Sequence, residues 1–247
     1  TIGANAVMIF DHVKLSGFPA SSSTSSRYLF VNGAEYSPGW ISGKGNSAGA
    51  WVFENSVFGF TDQMPLGQRG YMQDVVLVNS TAGGDSKGRN MQLAGFLCVS
   101  NSVLRMETKN SGNIGVKDST AYERGIIISG DESLVTPYLL TMGKKTLLEF
   151  DYGRKDRAAI QIGEGGFAPD ATAKLVVRLP ESVTRNCEVP LVSCTGTMTI
   201  PEGWLALNPE SVEAPKQLTG LAVKEVDGVR CLMATFTLNK GLMFIFR

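Results

Sequence analysis

The chain has 247 residues, of which 43% are hydrophobic, and its 23 basic and 23 acidic side chains give a formal net charge of zero. This length and hydrophobic content suffice for a large core in one or two domains. The even charge balance argues against general binding to nucleic acids or anionic membranes, which requires a basic surface. The 28 glycines, with no long runs of helix-forming residues, are typical of an all-β protein with many turns.

A short motif recurs from the start of the chain. It places Asn or Asp after β-forming residues and usually before a small polar residue, as in Phe53-Glu54-Asn55-Ser56-Val57. The Asn or Asp of the six copies are Asp11, Asn32, Asn55, Asn79, Asn101 and Asp118. Successive members are 21, 23, 24, 22 and 17 residues apart. This nearly constant period predicts a parallel β-solenoid, in which each repeat forms one full coil, here called a rung.

The repeated Asn or Asp has a physical explanation in such a fold. Asn tolerates the left-handed backbone conformation that a sharp bend between strands needs. Its side-chain amide is also able to bond to the same residue one rung away, about 4.8 Å distant. We therefore interpret the six residues as a structural ladder, and His12 as a turn residue. A calcium or sugar site is the alternative, and the few, scattered acidic members count against it.

Later parts of the chain predict more β-structure. The following segments are interpreted as further rungs with drifted sequence: 125–134, 147–153 and 158–166. Beyond about residue 172 the β-forming runs are longer, and Val226-Asp227-Gly228-Val229 predicts a hairpin. The predicted organisation is thus a solenoid over residues 1–172 and a mixed or antiparallel β segment over 173–247 that caps the last rung.

The four cysteines indicate no metal centre. They are Cys98, Cys187, Cys194 and Cys231, and none forms a Cys-X-X-Cys pair. Because His12 is the only histidine, we expect no Cys/His zinc site. The spacing of Cys187 and Cys194 suits a small loop-closing disulfide. We expect Cys98 and Cys231 to be buried thiols.

The sequence contains no recognisable catalytic motif. It has no Gly-X-Ser-X-Gly elbow and no phosphate-binding loop. The carboxylates near the repeats are scattered rather than paired, so we predict no catalytic residue, cofactor or metal. Trp40 and Tyr71 are candidate contacts for a glycan. Trp51 alternates with Phe53 along one strand, and we expect it to pack in the core.

The repeat resembles the right-handed parallel β-helices of the pectin-lyase-like and autotransporter-passenger type over roughly residues 5–165. The segments AKLVVRLP (173–180) and VPLVSCTGTMTI (189–200) are similar to the C-terminal region of large secreted bacterial proteins with autotransporter-associated β-strand repeats. The resemblance implies an elongated protein that is secreted or displayed on the cell surface. It does not fix an activity, since β-helices include both enzymes and inert stalks.

We therefore predict a non-enzymatic, extracellular structural or adhesive solenoid, part of a bacterial surface protein or a self-assembling fibre. The alternatives are a polysaccharide lyase or hydrolase and a carbohydrate-binding β-helix. The sequence TIGANAVMIF contains no signal peptide and runs directly into a strand. We expect a mature or excised piece whose partner is either further rungs of a longer chain or a second copy. A glycan partner is also considered, whereas no nucleic acid partner and no transmembrane segment are expected.

Overall fold

The computed structural model describes residues 5–16, 25–37, 49–59, 72–83, 90–106 and 112–238. Regular structure in these residues consists of short β-strands and one helix, α1 (Glu202–Leu205). The strands form three sheets, which we name by their number of strands. This architecture confirms the predicted all-β solenoid.

The nine-stranded sheet contains, in spatial order, β1 (Val7–Asp11), β3 (Arg27–Val31), β5 (Ala50–Glu54), β7 (Asp74–Val78), β10 (Phe96–Ser100), β13 (Gly125–Ser129), β16 (Leu147–Asp151), β19 (Lys174–Val177) and β21 (Val212–Glu213). The ten-stranded sheet contains β2 (Lys14–Leu15), β4 (Glu35–Tyr36), β6 (Val57–Gly59), β8 (Thr81–Gly83), β11 (Val103–Arg105), β14 (Leu134–Thr136), β17 (Ile160–Ile162), β20 (Cys187–Cys194), β23 (Val229–Phe236) and β22 (Leu218–Val226). The four-stranded sheet contains β18 (Gly166–Pro169), β15 (Leu139–Met142), β12 (Asn113–Val116) and β9 (Asn90–Leu93).

Successive rungs pair in parallel, so equivalent residues stack along the solenoid. In the nine-stranded sheet Phe10 pairs with Phe30, and Phe30 pairs with Phe53. Side chains alternate along each strand: Tyr28 and Phe30 point into the core, whereas Leu29 between them lies on the outer surface. Because side chains alternate between the two sides of a strand, each run of β-forming residues has one inner and one outer face.

The core of the first rungs is aromatic. The Phe10 and Phe30 rings stack with centroids 4.7 Å apart, and Phe30 and Phe53 stack at the same distance. This distance matches the spacing of neighbouring strands, about 4.8 Å. Phe58 from the ten-stranded sheet stacks against Phe53 at 4.6 Å. Trp51 is almost fully buried, which confirms its predicted place in the core.

The C-terminal end of the solenoid is built differently. Parallel pairing continues beyond residue 172, through β19, β20 and β21. β23 lies between β20 and β22 and pairs antiparallel with both. The segment after residue 172 thus contains both parallel and antiparallel strands.

The predicted hairpin joins β22 and β23. Val226 pairs with Val229, and the two residues between them, Asp227 and Gly228, have φ of 52° and 78°. Positive φ at both central positions is the geometry that matches the right-handed twist of the two strands. The structure confirms this hairpin.

Candidate functional site

Four of the predicted ladder residues share one corner of the solenoid, between the nine-stranded and ten-stranded sheets. Asn32, Asn55, Asn79 and Asn101 each follow a strand of the nine-stranded sheet. Their φ values are 54°, 48°, 47° and 44°, the left-handed conformation in which Asn is tolerated. The backbone amides of Asn55, Asn79 and Asn101 bond to the neighbouring rung, as when the Asn55 amide donates to the Val78 carbonyl at 3.0 Å.

The other two predicted ladder residues lie elsewhere. Asp11 pairs with Val31, so His12, with φ of 54°, occupies the corner position that corresponds to Asn32. Asp11 instead accepts a hydrogen bond from the Asn32 side chain at 3.0 Å. That hydrogen bond, together with one from His12, lowers the pKa of the Asp11 carboxyl. Asp11 thus bonds to the next rung through its side chain, whereas the left-handed corner position of its own rung is held by His12.

Asp118 belongs to a different corner. It follows β12 of the four-stranded sheet, and its carboxylate accepts a hydrogen bond from the Lys144 amide at 2.9 Å. An interval of 17 residues from Asn101 is too short for a full rung here, because β13 of the next rung begins at Gly125. Asp118 therefore does not lie in the ladder with Asn32, Asn55, Asn79 and Asn101, and this prediction is wrong.

A row of buried serines, which the sequence analysis missed, makes further side-chain bonds between rungs. The Ser56 amide donates to the Ser80 hydroxyl at 3.0 Å, and the Ser80 amide donates to the Ser102 hydroxyl at 2.9 Å. The Ser80 hydroxyl in turn donates to the carbonyl of Val78 in its own rung at 2.7 Å. Each such hydroxyl satisfies buried backbone groups that would otherwise lack partners. The recurring Asn-Ser dipeptide was the available signal.

The predicted disulfide between Cys187 and Cys194 is wrong. The structure has both as free cysteines, one at each end of the eight-residue strand β20. At about 3.3 Å per residue their Cα atoms are roughly 20 Å apart, and a disulfide requires less than about 7 Å. Cys231 is buried, as expected. Cys98 is only half-buried and lies on the outer face of the nine-stranded sheet, where burial raises its pKa to about 11.

The predicted glycan contacts, Trp40 and Tyr71, lie outside the described residues.

Several charged side chains of the described surface are held in pairs. Arg154 contacts Asp156 at 2.6 Å and Glu132 at 3.1 Å, and its hydrogen bond lowers the pKa of the Asp156 carboxyl. The pKa values of Glu188 and Glu213 are likewise lowered, by hydrogen bonds from Lys224 and Lys174. A lowered pKa keeps a carboxylate ionised, whereas a general acid of a glycosidase needs a raised one. These pairs are suited to stabilising the surface.

A shallow depression of about 330 Å³ lies at the C-terminal edge of the nine-stranded sheet. Its walls include Leu179 and Pro215, with Arg178 and Glu213 beside them. Arg178 is bound to Glu149 at 2.6 Å, so the charged groups here are already partnered.

The outer surface of the nine-stranded sheet carries a continuous row of apolar side chains. Backbone pairing places one residue from each of six consecutive strands in this row, which we call the outer apolar row. Its members are Ile9, Leu29, Val52, Val76, Cys98 and Ile127. Ile9 is 61% exposed and the others are half-buried. The row ends at Glu149, which pairs with Ile127 in register.

No protein-family model matches the chain, and no curated protein matches it. In the described ranges no helix has the length and apolar character needed to cross a membrane. The same residues include no group of three or more His, Cys, Asp or Glu side chains able to hold a metal ion. We therefore infer function from the solenoid and its surfaces alone.

Proposed function

We propose that this chain is a non-enzymatic, structural or adhesive β-solenoid of an extracellular, surface-displayed bacterial protein or fibre. The observation that carries the proposal is the unbroken stacking of inner side chains from β1 to β21 in the nine-stranded sheet. In a solenoid each rung contacts only its neighbours, so such a core specifies a stiff rod whose length grows with the number of rungs. Nine strands spaced about 4.8 Å apart give a rod of about 40 Å.

The two ends of this rod support a role in assembly. At the C-terminal end the antiparallel pair β22–β23 extends beyond β20, and the buried Trp204 donates its indole N–H to the Ala173 carbonyl at 2.8 Å. At the other end of the described rungs Phe10 is only half-buried, although its equivalents Phe30 and Phe53 are fully buried. We propose that a further rung, from a longer chain or from a second copy, packs on β1 and completes this burial.

The extracellular and bacterial parts of the proposal rest on the resemblance to autotransporter-type β-helices. On that basis the outer faces of the rod would be its working surfaces, which present side chains at fixed spacings to a cell, a matrix or other copies. Glycan contact by residues of the surface would be one form of such adhesion.

The test measures enzymatic activity on polysaccharides and the location of the protein on the cell. The purified chain is incubated with a panel of polysaccharides, and released reducing ends and unsaturated products are measured. We expect no release. Antibodies against the chain are then applied to intact and to permeabilised cells of the source bacterium, and we expect equal labelling. Saturable release of products would replace this proposal with a lyase or hydrolase, and labelling only after permeabilisation would contradict surface display.

A further inference from the structure

We infer that the outer apolar row is a pairing surface on which a second copy of this chain packs, sheet against sheet. This inference names a partner for the proposed structural role and rests on it. It differs from the packing of a further rung on β1, because it joins two solenoids side by side rather than end to end.

The apolar character is specific to this face. In the ten-stranded sheet the outward residues of the first rungs, also stacked in register, are Lys14, Glu35, Val57 and Thr81. Half of these are charged, and Lys14 binds Glu35 at 2.9 Å, as expected for a surface in water. The outer apolar row has no charged member over six strands. A continuous apolar patch rimmed by polar residues marks an interaction site.

The size of the face fits a second copy. A nine-stranded face is about 40 Å long, and a five-residue strand makes it about 16 Å wide. Two such faces would bury roughly 1,300 Å² in total, close to the lower limit of about 1,200 Å² for specific, stable interfaces. The six apolar strands alone would bury only about two thirds of that area. The whole face therefore has to take part, which a partner with the same strand spacing and length provides. Beyond the row this brings Glu149 and Glu213 into the face, where Arg178 and Lys174 of their own chain offset their charges.

The charges beside the row fit one arrangement. A two-fold axis parallel to the solenoid axis places each member of the row against itself in the second copy, and exchanges the two flanks of the sheet. Arg27 lies on one flank, and Asp11 and Glu54 lie on the other, in the strands before and after β3. Arg27 of each copy then faces the space between Asp11 and Glu54 of the other. Asp74, on the same flank as Arg27, lies one rung from Glu54 of the other copy, but each Arg27 meets two carboxylates, so the opposite-charge contacts outnumber this like-charge one. They favour this arrangement over one in which like flanks meet.

The first experiment measures association of the intact chain by sedimentation over a wide range of protein concentration. We expect a monomer–dimer equilibrium. Val76→Lys puts a charge at the middle of the outer apolar row, and we expect it to weaken the dimer at least tenfold. Thr81→Lys is the matched control, since Thr81 is exposed on the ten-stranded sheet and its variant keeps the dimer. Circular dichroism establishes that both variants are folded.

The second experiment uses Cys98, a member of the row, as a built-in probe. The two-fold axis brings the Cys98 thiols of two copies together, and Cys194 and Cys231 are buried in the fold. In a Cys187→Ser background, copper-phenanthroline in air oxidises two thiols to one disulfide. We expect a covalent dimer that Cys98→Ser abolishes, with mass spectrometry identifying a Cys98–Cys98 bond.

A chain that stays monomeric at every concentration, or a dimer that Val76→Lys leaves unchanged and that forms no Cys98–Cys98 bond, overturns the pairing. A monomer that releases no product from polysaccharides removes the pairing and leaves the proposed structural function standing. A dimer that does release such products removes the proposed function and leaves the pairing.

Discussion

The rungs that begin with β3 and β5 and those that begin with β10 and β13 build the same coil from different side chains. One inner row runs through all of them. It contains Phe30 and Phe53 in the first pair of rungs and Val99 and Ile128 in the second. All four side chains are buried. The fold thus requires an apolar residue of fitting shape at each inner position, and not a particular one, provided that its neighbours along the row fill the remaining volume.

The corner after these strands shows the same freedom. Asn101 ends one rung with φ of 44°, and Gly130 occupies the corresponding position of the next with φ of 80°. A Cβ atom on Gly130 would lie 2.0 Å from the Asn101 side-chain oxygen, so a larger residue here would require the Asn101 side chain to move. Ser133 lies three residues further on, yet its hydroxyl bonds to the Ser129 carbonyl just as Ser102 bonds to Ser100. The two rungs thus share a left-handed bend that is followed by a buried hydroxyl.

Truncation of the aromatic stack should have the largest effect. We expect Phe53→Ala to lower the free energy of unfolding by about 3–5 kcal/mol, since its ring fills the space between Phe30 and Phe58. Val99→Ala, in the same row, should cost clearly less because it removes fewer buried carbons. Urea denaturation measures both, and Thr81→Ala, at an exposed position of the ten-stranded sheet, is the control. Equal losses at Phe53 and Val99 would contradict a special role for the stack.

Removal of one hydroxyl from the serine row should come next. We expect Ser80→Ala to cost about 1–3 kcal/mol, because the buried Ser56 amide loses its acceptor. Hydrogen exchange of the Ser56 amide should accelerate in this variant. Ser100→Ala removes a hydroxyl from the outer face of a neighbouring rung and should leave both measurements nearly unchanged. If the two serine variants behaved alike, the bonds between rungs would contribute little.

Replacement of a corner asparagine should have a smaller effect. We expect Asn55→Ala to cost about 1 kcal/mol, because alanine resists the left-handed conformation that φ of 48° requires. Asn55→Gly should be nearly neutral, since glycine adopts that conformation freely. Thermal or urea unfolding of the two variants separates backbone strain from loss of the side chain. An equal cost for Gly and Ala would show that the amide group itself stabilises the corner.

The smallest effect concerns Asp11. Its lowered pKa means that its partners stabilise the fold at pH above the ordinary carboxyl value, and that this contribution is lost as the pH falls through the pKa of the folded state. Because Asp11 is exposed, we expect little change in stability. Asn32→Ala removes the main partner and should raise the pKa of Asp11 towards its ordinary value, as followed by NMR titration. Asn79→Ala, at another rung, should leave that pKa unchanged.

Much of the architecture follows from local features of the sequence. The period of the Asn motif predicts a parallel solenoid, because each coil must return to the same bend. The four corner asparagines take the left-handed conformation expected of them: Asn32, Asn55, Asn79 and Asn101. Asp227-Gly228 forms the hairpin turn because both residues accept positive φ. These features depend on the chemistry of a few neighbouring residues, which a sequence displays directly.

Other features depend on which rung lies beside which, and loops of unequal length hide this from the sequence. Register decides that His12, rather than Asp11, stands at the corner, since Asp11 pairs with Val31. The tertiary structure also forms the extended strand β20 between Cys187 and Cys194, which prevents their bridging. Register also aligns the six members of the outer apolar row, of which Ile9 is the first and Ile127 the last. Alternation within a strand tells which residues share a face, but only contacts between distant strands decide which residues share a row.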